Sequence, residues 1–353
     1  MRTVTDFNFQ GQRALVRVDF NVKIDNHYNV IDDTRIKACL PTINKIINEG
    51  GKAILMSHMG RPKGQYHDSF SFKHLVNHLA GLLKTEVRFY EDCIGDEVVQ
   101  KINNELQEGE VALLENLRFH KTEKQGDETF AKQLAKLGDV YIDDAFGTAH
   151  RAHASNYTVA QYFDPEHKMA GSLMTSELEH AHHVVNTPEH PYAAAIGGSK
   201  VSDKIQLLRS LMSKADHILI GGGMTYTFLK AQGYQIGNSM VEEDKLELAS
   251  SLINEAANNH VKLHIPIDSV ITKSITNKAE KHITDNSNIP EGYMGADLGP
   301  KTIERYGEII KNAKTIFWNG PVGVFEVEGL EEGTHRMALA VAEATQMSAY
   351  SLI

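Results

Sequence analysis

Residues 143–155, Asp-Asp-Ala-Phe-Gly-Thr-Ala-His-Arg-Ala-His-Ala-Ser, decide how the rest of the chain is read. They follow Val140-Tyr141-Ile142, an apolar run of the length a buried parallel strand uses. The stretch then turns small, polar and cationic at once. Gly147, Thr148 and the alanines let backbone approach a ligand, and Arg151 adds a fixed planar charge between His150 and His153. In an open α/β sheet the carboxyl end of a strand is where ligands bind. On this stretch alone, a tight strand-to-helix connection with a solvated arginine reads equally well. The other strands decide between the two.

Working outward, the alternation is regular. Arg13–Val22, Lys52–His58, Val87–Tyr90 and Val111–Leu117 read as strands. Asp33–Asn48, Phe72–Lys84, Asp96–Leu106 and Asp127–Leu137 read as helices between them. Pro41 predicts a kink or break in the first helix. A helix and a Pro-containing connection occupy 172–190, and a second alternation begins at Tyr192. It contains Gly197-Gly198-Ser199-Lys200, helix Ser202–Lys214, strand His217–Ile220 with three glycines, and helices at Met224–Gln232 and Glu242–Asn258. Strand Lys262–Ile265, helix Pro300–Ala313, strand Thr315–Trp318, helix Glu332–Gln346 and the run Ala349–Ile353 complete it. Residues 271–298 are polar and weakly periodic, an irregular or short-stranded insertion. Strands alternating with helices predict α/β architecture: two doubly wound, Rossmann-like parallel sheets with right-handed crossovers. The expected domains are 1–171 and 172–353, joined by a hinge helix at about 172–186.

The chain has 353 residues, too many for a single core, which rarely exceeds ~250–300 residues. Its formal net charge of −10 argues against a general binder of nucleic acid or anionic membrane, but not against a local cationic pocket. Cys39 and Cys93 form no motif and read as reduced thiols. The N-terminus lacks the apolar core of a signal peptide, and no apolar run reaches the ~20 residues of a membrane span, so a cytoplasmic protein is expected. The HAHH tract at 180–183 lies in a helical context and reads as a solvated helix face.

Arg35, Arg61, Arg118 and Arg151 fall near strand ends of the first half, with Asp19, Asn21 and His58 at the same edge. Converging guanidinium forks suit a small molecule with more than one negative group. In the second half, Gly198 and Lys200 open a helix, and Lys204 lies one turn on. Glycines and a helix N-terminus suit phosphates, although the spacing is not that of GxxxxGK[ST]. Gly221-Gly222-Gly223 fails as a dinucleotide fingerprint because Tyr226 stands at the third glycine position. A third turn, Asn319-Gly320-Pro321-Val322-Gly323, precedes Glu326, whose carboxylate could accept from ribose hydroxyls.

The segments VRVDFNV, DDTRI, SHMGRPKG, LLENLRFH, DDAFGTAHRAHAS, GGSKVSDK, GGGMTYTFLKAQG and WNGPVGVFE occur in the order found in phosphoglycerate kinases, and the chain resembles that family along nearly its whole length. The resemblance implies a glycolytic kinase that interconverts 3-phosphoglycerate plus MgATP with 1,3-bisphosphoglycerate plus MgADP. It implies a monomer that closes about its hinge. It assigns phosphoglycerate to Asp19, Asn21, Arg35, His58, Arg61, Arg118 and Arg151. It assigns the nucleotide to Gly198, Lys200, Lys204, Gly222, Gly223, Asn319 and Glu326. Arg35 and Lys200 become the catalytic candidates for embracing the transferred phosphoryl. In the family a strand like 349–353 leads into a GGGD[ST] turn with an aspartate near the magnesium, and later an STGGGASLE segment. Neither occurs in this sequence, so no metal ligand is assigned. The expectation is a truncated copy or a defective product that binds phosphoglycerate, handles Mg-nucleotide poorly and exposes apolar surface. A non-catalytic binding module and an NAD-dependent oxidoreductase are the competing readings.

Overall fold

In a computed structural model, which describes residues 2–276 and 280–353, the chain divides into two compact units, Met1–Glu179 and His180–Ile353. The first unit runs β1 (Arg13–Val18), α1 (Thr34–Asn48), β2 (Lys52–Met56), α2 (Val76–Leu83), β3 (Val87–Tyr90), α3 (Asp96–Glu105), β4 (Val111–Leu114), α4 (Lys121–Gln125), α5 (Glu128–Ala135), β5 (Val140–Asp144) and β6 (Lys168–Ala170). The division falls within α6 (Ser172–Asn186).

All strands of the first sheet are parallel, in the order β3-β4-β2-β1-β5-β6. Both faces are covered, and Ala14, Leu15, Val16 and Val18 of β1 are apolar and buried. Ala14, Val16 and Val18 join the core beneath α1 and α2, while Leu15 joins the core beneath α3 and α5.

The second unit continues with β7 (Tyr192–Ile196), α7 (Ile205–Met212), β8 (His217–Ile220), α8 (Met224–Ala231), β9 (Gln235–Ile236), α9 (Leu246–Asn258) and β10 (Lys262–His264). It ends with β11 (Asp268–Thr272), β12 (Lys281–Asp285), β13 (Asn288–Ile289), β14 (Met294–Leu298), α10 (Pro300–Lys311), β15 (Thr315–Asn319), α11 (Glu332–Gln346) and β16 (Tyr350–Leu352). Its main sheet is again parallel, β10-β8-β7-β15-β16. Residues of α7, α8 and α9 pack on one face and residues of α10 and α11 on the other. Among the described residues, no helix is long and apolar enough to cross a membrane.

The structure corrects or narrows the sequence reading in four places. First, α1 runs unbroken through Pro41. Pro41 is exposed, opposite the buried stripe of Ile36, Cys39, Ile43 and Ile46, so the backbone bond it removes lies on the solvent side. Second, β1 stops at Val18, not Val22. There the Ser57 hydroxyl donates to the Val18 carbonyl (2.6 Å) and accepts from the Phe20 N–H (2.9 Å), replacing the strand ladder and freeing residues 19–21 to form a loop. Third, of the two forms expected for 271–298 the structure takes the short-stranded one, mostly an antiparallel sheet, β12-β11-β14; its residues 277–279 lie outside those described. Fourth, the histidine tract is not simply solvated: His180 contacts the Tyr350 hydroxyl, and the His183 ring lies 4.1 Å from the Tyr350 ring.

Tyr306 fastens α10 beneath the second sheet. Its hydroxyl is buried and is placed against two carbonyls, Ile220 (2.9 Å) and His264 (2.7 Å). Replacing Tyr306 with Phe leaves both without that donor and should cost about 1–3 kcal/mol, read as a lower urea midpoint for unfolding.

Candidate active site

The parallel order brings four loops to one edge. Asp19 and Asn21 follow β1, His58 and Arg61 follow β2, Arg118 follows β4, and Arg151 follows β5; these strands are neighbours in the sheet. Arg35 joins them from the first turn of α1. All seven line one cavity of about 730 Å³. Its wall carries seven Lys and Arg side chains, with Asp19 as its one carboxylate. Asp19 pairs with Arg35 at 2.8 Å. Among the described residues no carboxylate pairs with Arg61, Arg118 or Arg151. The unneutralised charge sits in a chain of net charge −10.

Buried polar groups hold these loops together. The Asn116 side chain donates to the carbonyls of Met59 (2.8 Å) and Phe70 (2.9 Å), and its Oδ1 accepts from the N–H of Arg118 (3.0 Å). Asn21 Oδ1 accepts from the Gly60 N–H (2.9 Å), and Arg118 donates to the Gly60 carbonyl (2.8 Å). The loop after β2 is therefore tied to the loops after β1 and β4. Asn116 was not singled out from the sequence. Its signal is a polar residue inside the apolar run Leu113-Leu114-Glu115-Asn116-Leu117.

A second cavity, of about 590 Å³, lies in the second unit. Gly198, Gly222, Gly223 and Glu326 line it, between the apolar side chains of Met240, Leu298, Val322 and Val324. Its floor is three turns that follow the adjacent strands β8, β7 and β15. These turns pack backbone on backbone. A Cβ on Gly197 would stand 2.0 Å from the Pro321 carbonyl oxygen, and one on Gly222 would stand 2.6 Å from that of Gly198. Gly222 also has φ +70, in the left-handed region that favours glycine. Lys200, Lys204 and Asn319 do not line this cavity. Lys204 reaches Asn319 beside the Gly198 turn, whereas Lys200 is an exposed residue at that turn.

The residues 4–353 match the family model described as phosphoglycerate kinase. The chain belongs to the phosphoglycerate kinase family. A phosphoglycerate kinase of Chlorobium phaeobacteroides is 47% identical over 352 residues, covering 100% of this chain and 88% of that protein. One from Porphyromonas gingivalis is 43% identical, covering 99% of this chain and 89% of that protein. Among solved structures, the enzyme of Coxiella burnetii superposes with TM-score 0.86 at 36% identity, covering 99% of this chain and 86% of that one. That of Pyrococcus horikoshii gives 0.79 at 30%, covering 98% and 86%. Members of this family are phosphotransferases of glycolysis, and the two-domain α/β fold is theirs.

Among the described residues, one His, Cys and Asp cluster is close enough to suggest a metal: Asp92, Cys93 and His120. Asp92 Oδ1 already accepts from His120 (2.8 Å) and from the Cys93 N–H (2.6 Å), and burial pushes the Cys93 thiol far up. The group is built as a hydrogen-bonded turn. In the glycine cavity the carboxylates are Glu326 and Asp297. Asp297 Oδ1 is buried without a hydrogen-bond partner among the described residues, and Gly323 and Gly333 leave it room, since a Cβ on either would lie 2.0 or 2.2 Å from it.

Burial raises the Asp297 carboxyl to about 6, against the pull of the Gly333 N–H on Oδ2 (2.7 Å). Its pKa is therefore higher folded than unfolded, and the folded state binds the extra proton. Stability should fall as pH rises from about 4 to about 6 and stay lower above that, by up to about 3 kcal/mol. Asp297→Asn removes this contribution. The variant's stability relative to the parent should increase between pH 4 and pH 7, measured by urea unfolding; a constant difference would count against the raised pKa.

Proposed function

We propose that this chain catalyses reversible phosphoryl transfer between 1,3-bisphosphoglycerate with ADP and 3-phosphoglycerate with ATP. The observation that carries the reading is the cavity of seven cations and one carboxylate in the first unit, within an acidic chain. In this reading phosphoglycerate lies against Arg61, Arg118 and Arg151, with Asp19, Asn21 and His58 taking its hydroxyl and carboxylate ends. The glycine cavity takes the nucleotide: apolar walls at Met240 and Val322 suit a flat base, and Glu326 suits ribose hydroxyls. The glycine turns face its phosphates, and Lys204, Asn319 and Lys200 stand beside those turns as the groups proposed to reach them.

The chemistry demands little covalent help. Phosphoryl transfer runs through a transition state whose charge spreads over the moving oxygens, so catalysis is positioning plus neutralisation. Arg35 and Lys200 are the cations proposed for the moving group. Magnesium, when bound, neutralises the nucleotide phosphates. Negative net charge works against anionic polymers and membranes, so the partners in this reading are small anions; a cytoplasmic monomer is proposed from the family likeness.

Titration calorimetry with 3-phosphoglycerate and with MgADP, separately, and a coupled turnover assay test the reading. Binding of neither ligand would overturn it. Arg35→Ala should lower kcat by about 10²-fold or more, the scale for losing one charge-stabilising donor, with a much smaller change in the Michaelis constant for phosphoglycerate. An effect on the Michaelis constant alone would remove Arg35 from the transfer step.

A further inference from the structure

Arg17 is among the largest fully buried side chains of the chain, 1% exposed, on the face of β1 opposite Val16 and Val18. Each of its three guanidinium nitrogens has a partner. Nε donates to Ser155 Oγ (2.9 Å), one terminal nitrogen donates to the Val18 carbonyl, and the other meets His58 Nδ1 (3.0 Å). The Ser155 hydroxyl passes the contact on, donating to Glu123 Oε1 (2.6 Å), while Glu123 Oε2 accepts from the Ser155 N–H (3.0 Å). Glu123 is itself 1% exposed, so the buried cation is balanced by a buried anion through one hydroxyl. A guanidinium has donors only and keeps its proton. His58 Nδ1 must therefore accept, and the ring proton must sit on Nε2. No protein group among the described residues bonds Nε2, and His58 lines the cationic cavity.

We propose that Arg17 is a positioning residue that locks His58 as its neutral Nε2–H tautomer, so that His58 offers the bound phosphoglycerate a hydrogen-bond donor without a charge. The proposal deepens the binding reading above and rests on it for the identity of the ligand. The charged and titratable groups around the ring agree with it. Arg17 from β1, Arg118 after β4, and Arg151 and His153 after β5 all disfavour a second proton, and burial disfavours it more. His153 is pushed down as well, to about 4, so it adds no charge of its own near neutrality.

The test uses the whole chain labelled with ¹⁵N-histidine. Long-range proton–nitrogen correlation spectra, with the His58 signals assigned by their loss in His58→Gln, should show a bare Nδ1 and a protonated Nε2, unchanged from pH 8 to pH 5.5. An imidazolium pattern anywhere in that range overturns the proposal. This measurement needs no ligand, so it stands or falls apart from the phosphoglycerate reading, which calorimetry on the parent chain decides. A second measurement compares His58→Gln, whose amide reaches the Nε2 position, with His58→Asn, whose amide stops near Nδ1. The Asn variant should bind 3-phosphoglycerate at least about tenfold more weakly than the Gln variant, the scale of one hydrogen bond to a charged group. Equal affinities, or the reverse order, overturn the proposal. Arg17→Met paired with Glu123→Gln removes the lock without stranding a buried charge. It should give a mixed-tautomer spectrum that titrates, and Arg17→Lys should restore the bare Nδ1; a spectrum unchanged in the double variant overturns the role of Arg17.

Discussion

The parallel pairing of β4, β2, β1 and β5 is the constraint on which the first unit depends. Parallel neighbours end at the same edge, so the loops leaving them are delivered to one place. In this chain those loops are cationic. Gathering arginines costs repulsion, and Asp19 offsets it only for Arg35. The rest is borne by tied loops. Asn116, with no exposed surface, clamps the segment after β2 to the segment after β4 through three backbone partners and the Arg118 N–H. A cluster held open in this way is complete only with an anion in it, and that is how a scaffold stores binding energy for a ligand.

The cavity of the second unit is built with shape more than charge. Its three glycine turns touch through backbone, which no residue with a Cβ would allow at Gly197 or Gly222. Their close packing follows from strand adjacency, β8-β7-β15, as the arginine cluster follows from adjacency in the first sheet. The Gly222 N–H bonds the Val322 carbonyl (2.8 Å) and the Met224 N–H bonds the Gly198 carbonyl (3.0 Å), so each turn is held by another. A substitution in one turn would therefore shift the others.

Much of this was legible in the sequence because it is periodic or terminal. Apolar runs and helical stripes gave the alternation, and the residues just past each run were the ones that met at the cavity. The fold was misread where tertiary context outweighs local propensity. Pro41 argues for a break, but its lost bond faces solvent and the opposite face is held by the core. Tyr350 and the histidines of α6 are far apart in sequence, and nothing local announces their contact. The supporting residues of the site were hidden for the same reason. Arg17, Ser155 and Glu123 sit 138 and 32 positions apart, and each alone reads as an ordinary polar residue.

The buried Arg17–Ser155–Glu123 chain also explains how a histidine can live among arginines. A protonated ring at His58 would add one more positive charge to a wall that already carries seven cations. Such a charge would have to be desolvated without a partner, since Asp19 is committed to Arg35. A neutral ring avoids that cost, but an unheld imidazole could place its proton on either nitrogen and turn an acceptor toward an anion. Spending one face of a fully buried guanidinium on Nδ1 removes that choice before any ligand arrives. The counter-charge for that guanidinium, Glu123, is kept behind Ser155 and off the cavity wall. The arrangement separates two demands that usually conflict: charge balance in the interior and charge excess at the surface of the site.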